Sequence, residues 1–216
     1  MAEIERDFIR GDDESWENVI GLDSSFPRDR LARAAQRFAA AAPLMKFLCD
    51  AQGLRLTTVF NTHTHADHIG INRDLARRGL LEGMRVVGAA ATRDAIPGLT
   101  EAVGEGDVVR FGPAEGRVLL TEGHIDGHVS YVFSDALFCG DTLFGGGCGY
   151  LFDGPPSKMH ASLSRLAELP PETRVCCAHE YTEDNLRFAF SLEPDNGDLV
   201  ARIRDVWALR ARGECS

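Results

Sequence analysis

Four side chains able to bind a metal ion lie within six residues in Thr62-His63-Thr64-His65-Ala66-Asp67-His68. Imidazole and carboxylate together suit zinc, iron or manganese. The run sits where a strand over residues 54–60 hands over to a helix over residues 69–78. Side chains alternate in an extended segment, so His63 and His65 point the same way and Thr64 turns aside. Asp67 and His68 follow as the helix begins and can face a different centre. A lone histidine in such a loop more often caps a helix or bonds to water, but four ligand types at this spacing seldom arise without a metal.

Three further residues stand after apolar segments. They are His124 in Thr121-Glu122-Gly123-His124, Asp141 in Phe138-Cys139-Gly140-Asp141-Thr142, and His179 in Val175-Cys176-Cys177-Ala178-His179-Glu180. Ligands at the ends of several strands can converge on one edge of a sheet. Five of the seven histidines occupy these places, which leaves His128 and His160 to explain. His160 reads as a surface residue near the start of an amphipathic helix. His128, four residues after His124, either orients a ligand from behind or is a satisfied structural histidine. Cys148, beside the glycine-rich stretch 145–149, is the one candidate thiol nucleophile. It reads as buried, without a base, and inert.

The scaffold around these residues is read from pattern. A short strand over residues 19–22 precedes a helix over 28–42 and a second one running to residue 52. Beyond residue 84 come short strands separated by glycine turns, at 84–88, 107–111, 117–121, 128–133 and 136–139. An amphipathic helix over 157–169, a last buried strand over 174–178, and helices over 183–191 and 199–212 complete the chain. Two batches of strands, each with its own helices, predict α/β layering.

Composition bounds the alternatives. A chain of 216 residues fits one domain with a small appendage. Its formal net charge of −10 argues against non-specific nucleic-acid binding and against an anionic membrane surface. Six cysteines without a C-x-x-C pair, and an acidic opening without an apolar run, predict reduced thiols in the cytoplasm. No apolar stretch approaches the roughly 20 residues that would span a bilayer.

In order, H-x-H-x-D-H, G-H, G-D-T and H-E-Y-T resemble the ligand series of the metallo-β-lactamase superfamily. Gly140-Asp141-Thr142-Leu143-Phe144, Gly147-Cys148-Gly149 and Ala178-His179-Glu180-Tyr181-Thr182 are most similar to glyoxalase II, the hydroxyacylglutathione hydrolases. The resemblance implies a four-layer αββα sandwich with two divalent metal ions at one edge, zinc first and iron or manganese as alternatives. It implies His63, His65 and His124 on one metal, Asp67, His68 and His179 on the other, and Asp141 bridging. Asp67 and Asp141 would serve catalysis, and a metal-bridging hydroxide would hydrolyse a glutathione thioester such as S-lactoylglutathione to lactate and glutathione. Two divalent ions outweigh the two aspartates and the hydroxide, which favours an anionic substrate. Tyr181 and Tyr150 fall where the family contacts glutathione, although Tyr150 replaces a basic residue. Glu122 and Ile125 replace a proline and a threonine around His124.

Residues 1–182 are thus expected to form the hydrolase domain and residues 183–216 a shortened helical C-terminal region. Two alternatives accompany this expectation. One is a persulfide dioxygenase-like enzyme with a single iron. The other is a truncated homologue that binds metal with little catalytic activity. A small-molecule thioester is the expected partner, with no nucleic acid and no membrane; the oligomeric state is left open.

Overall fold

The computed structural model describes Val19–Ile20 and residues 56–216. The expected helices over residues 28–52 and the first residues of the 54–60 strand lie outside the described residues. Alternation of side chains sets the layers. In β2 (Thr58–Phe60) every residue is buried, but Val59 and Phe60 face opposite ways. Val59 packs with Ile71 and Leu75 of α1 (Gly70–Arg77) and with Met84. Phe60 instead meets Tyr131 and Phe133 edge to face, at centroid distances of 5.3 and 5.9 Å.

The first sheet runs β1–β2–β3–β4, with β1 (Val19–Ile20) antiparallel to β2. Strands β3 (Arg85–Ala89) and β4 (Glu101–Val103) continue it in parallel. A 3₁₀ turn, Ala90–Ala95, joins these two. The second sheet contains β5 (Val108–Phe111), β6 (Ala114–Leu120), β7 (Val129–Phe133) and β8 (Ala136–Gly140), all antiparallel to their neighbours. A small hairpin of β9 (Leu143–Phe144) and β10 (Gly147–Cys148) projects beyond β8. After α2 (Pro156–Leu166), β11 (Arg174–Cys177) returns to pair with β8 in parallel, so the order is β11–β8–β7–β6–β5.

Phe60, Val87, Ala89 and Val103 of the first sheet share one core with Val109, Val118, Val129 and Tyr131 of the second. On the outer faces α1 covers the first sheet, and Leu166 of α2 covers Leu119, Leu137 and Cys139 of the second. This is the expected four-layer αββα arrangement. Helices α3 (Thr182–Leu192) and α4 (Gly197–Ala211) come after β11 and pack together. Asn196 caps α4 through a side-chain oxygen that accepts the Leu199 N–H at 3.1 Å. Among the described residues, no helix is long and apolar enough to cross a membrane.

Three local expectations differ. Strand β11 is an edge strand among the described residues, with Val175 46% exposed, and is not a buried one. Its apolar composition reflects one-sided packing of Cys177 against the Leu137 cluster. The stretch 145–149 contains half of a hairpin where the sequence suggests only a loop. Strand β4 has no counterpart in the sequence pattern, because three residues with a glutamate among them carry no alternation.

Candidate metal centre

Loops at the ends of β2, β6, β8 and β11 bring seven side chains together. The donor atoms of His63, His65 and His124 lie within 4.8 Å of one another; so do those of His63, His68 and Asp141, and those of Asp67, His68 and His179. His63 and His65 leave β2 directly. Asp67 and His68 occupy the turn before α1, which is closed by the His68 and Ile69 amides donating to the His65 carbonyl. Asp141 follows β8 after Gly140, whose φ of +53° turns the chain out of the ladder.

The chemistry of the partners assigns the ring nitrogens. His124 Nδ1 lies 2.6 Å from the Tyr150 carbonyl, which can only accept, so this nitrogen carries the proton and Nε2 is bare. His63 Nδ1 is 3.1 Å from Thr62 Oγ1, which leaves its Nε2 facing the cluster. His65 Nδ1 sits 3.1 Å from His63 Nε2 and 2.9 Å from His124 Nε2. One proton on His65 can serve only one of those neighbours. A cation among the three nitrogens satisfies all of them, so the donor set fits a divalent ion.

Asp141 spans both sides. Its Oδ2 is 3.3 Å from His124 Nε2, and its Oδ1 is 3.4 Å from His179 Nε2 and 3.6 Å from His68 Nε2. On the far side Asp67 Oδ2 is 3.4 Å from His68 Nε2 and 3.9 Å from His179 Nε2. Burial alone would push the Asp141 carboxyl up. A hydrogen bond from His179 and the field of His68, His179 and His124 outweigh it and hold the group below the ordinary 3.8. Burial lowers His63, and the neighbouring imidazoles His128, His68, His124 and His65 lower it further. Burial also lowers His124, partly offset by Asp141 and the Tyr150 carbonyl. His63 and His124 shifted toward the neutral form, and Asp141 toward the carboxylate, match the protonation states a metal requires.

Aromatic side chains frame the opening. Phe152 meets His65 and His124 edge to face at 5.1 and 5.3 Å, and Tyr150, 73% exposed, packs on Phe152. Opposite, Tyr181 stacks on His179 with 6° between the rings, and Phe144 meets both. Tyr150 and Tyr181 thus stand on opposite sides of the mouth. His128 lies wholly buried behind the cluster, and His160 is exposed, away from it. Cys148 is exposed, which corrects the expectation of burial, and its thiol is pushed up and so is not activated.

Several contributors escape sequence reasoning. Thr62 is legible in hindsight, as a hydroxyl beside the first histidine. A clasp at the other end is not. Ser216 Oγ lies 2.8 Å from Glu180 Oε1 and 2.7 Å from Thr182 Oγ1, the Ser216 amide donates to Glu180 Oε2 at 3.2 Å, and Arg210 Nη1 is 3.6 Å from the same oxygen. These bonds tie the end of α4 to the residue after His179 across more than thirty positions of sequence.

Comparison with known proteins points the same way. A family model described as the Metallo-beta-lactamase superfamily matches residues 21–179. A hydroxyacylglutathione hydrolase from Gloeobacter violaceus is 50% identical over 176 residues, covering 81% of this chain and 69% of the relative. Another from Methylococcus capsulatus is 50% identical over 184 residues, covering 84% and 70%. Among solved structures, ETHE1 from Myxococcus xanthus superposes with a TM-score of 0.53 at 35% identity, covering 64% of this chain and 60% of that one.

Proposed function

Because the chain belongs to the metallo-β-lactamase superfamily, and within it to the hydroxyacylglutathione hydrolase (glyoxalase II) family, we propose that it hydrolyses a glutathione thioester. S-Lactoylglutathione or a close analogue is the substrate, and lactate and glutathione are released. The single observation that carries this reading is Asp141, whose two oxygens face separate histidine groups. Two divalent ions, zinc in the first instance, fit the two groups. When bound, they would lower the pKa of water to about 7 and act as Lewis acids toward the thioester carbonyl.

His63, His65 and His124 would hold one ion and Asp67, His68 and His179 the other, with Asp141 within reach of both groups. The Thr62 hydroxyl and the Tyr150 carbonyl fix two of the imidazoles so that Nε2 faces inward. Asp67 has a side chain 38% exposed at the mouth, so its carboxylate can accept a hydrogen bond from the attacking water and orient it. Tyr150 and Tyr181 contact the glutathione portion, while Phe152 and Phe144 keep bulk water from the rings beneath them. The leaving thiolate needs little protonation near neutral pH. His128 supports the ligands from behind. Residues 1–182 form the hydrolase domain and residues 183–216 its appended helical region, and the reaction is cytoplasmic.

The test supplies S-lactoylglutathione to zinc-loaded protein and follows thiol release. Turnover supports the proposal, and two bound metals without thiol release would refute it. Oxygen uptake with glutathione persulfide, on one iron per chain, would instead favour a dioxygenase, a reading that leaves Asp67, His68 and His179 without a purpose.

A further inference from the structure

We infer, on the two-cluster reading proposed above, that His128 is a positioning residue: as the neutral Nδ1–H tautomer it holds the backbone at Asp141 and so sets where the shared carboxylate lies. The Asp141 amide donates to His128 Nε2 at 3.2 Å. An amide can only donate, so Nε2 is bare and the ring proton sits on Nδ1. Nδ1 in turn faces Thr121 Oγ1 at 3.2 Å and Thr142 Oγ1 at 3.3 Å. Both hydroxyls can accept there. Thr142 Oγ1 donates to the Thr121 carbonyl at 3.0 Å, and Thr121 Oγ1 pairs with Ser130 Oγ at 2.7 Å. Every member of this buried chain has a partner with the polarity it needs. An imidazolium would set a donor against the Asp141 donor, so the geometry demands a neutral ring.

Two features show that the surroundings are shaped around this contact. Gly140 places its backbone where a Cβ would lie 2.6 Å from His128 Nε2, so only glycine lets the ring reach the next amide. The other role of the ring is to back His63, with centroids 4.7 Å apart and planes within 23°. One side chain therefore supports a histidine of the first group and the carboxylate common to both groups. A ring that merely filled space would need neither the acceptor nor the glycine.

The experiment compares the zinc-loaded full chain with His128→Gln and His128→Leu. Glutamine keeps an acceptor near the Nε2 position, whereas leucine keeps the bulk and removes the acceptor. We expect His128→Leu to bind zinc about 10–100-fold more weakly, with His128→Gln close to the parent at comparable melting temperature. Nitrogen-15 spectra of the parent should show His128 protonated on Nδ1 and bare on Nε2, a readout that stands even if the leucine variant fails to fold. Equal loss of zinc in the two variants, or a protonated Nε2, overturns the inference. A parent that binds zinc but releases no thiol would remove the hydrolase reading while leaving the His128 result to stand on zinc binding and tautomer.

Discussion

The two histidine groups that flank Asp141 are held in different ways. His63 and His124 sit on short loops, nearly without exposure, and each is fixed by an immediate partner: the Thr62 hydroxyl, the Tyr150 carbonyl, the His128 ring. The second group pairs a part-exposed Asp67 with His179, whose loop is tied to the far end of the chain through Glu180 and Ser216. The first group is held by partners that belong to the sandwich and its loops. The second is held in addition by Ser216 and Arg210, from α4 and the segment after it. Orientation by groups behind the ligands is common at metal sites; here its source differs from one side to the other.

The largest effect should come from the residue that belongs to both sides. Asp141→Asn removes the shared negative charge, and thioester turnover should fall on the order of 10³-fold. Parental turnover with two zinc ions still bound would mean that the groups act separately. Acid should strain the first side in particular. His128 is pushed down to about 3 by burial, and His63 and His124 are lowered as well. Their folded pKa values lie below the unfolded value of 6.5, so the unfolded chain takes up protons first. The stabilisation is full above that value and is lost as pH falls toward the folded values, by about 1.4 kcal/mol per pH unit for each imidazole involved. Urea unfolding of metal-free protein at about pH 7.5 and about pH 5 measures it, and equal stability at both would contradict buried neutral rings. The smallest effect belongs to the clasp. Glu180→Gln should cost no more than about 1 kcal/mol of global stability, yet zinc should leave one site faster than the other in chelator competition. Uniform release from both sites would erase the asymmetry.

Much of this architecture is legible in the sequence alone. Residues His63 to His68 announce their chemistry by type and spacing, and α1 spans Gly70–Arg77 where the pattern suggests 69–78. The opposite facing of Val59 and Phe60 comes from a period of two. Other features leave no local trace. Strand β4 is too short for periodicity, and β11 is apolar in composition although its outer side is open. The Tyr150 carbonyl that orients His124 belongs to the backbone, so no residue type could flag it. Nor could local pattern link Ser216 to Glu180.

That carbonyl has a further consequence. The backbone carrying the exposed Tyr150 and Phe152 is the same backbone whose carbonyl accepts the hydrogen bond from His124 Nδ1. Shortening that bond pushes electron density toward the opposite nitrogen and makes it a stronger electron-pair donor. Whatever leans on the two aromatic rings from outside therefore also presses on the carbonyl that orients His124 beneath them.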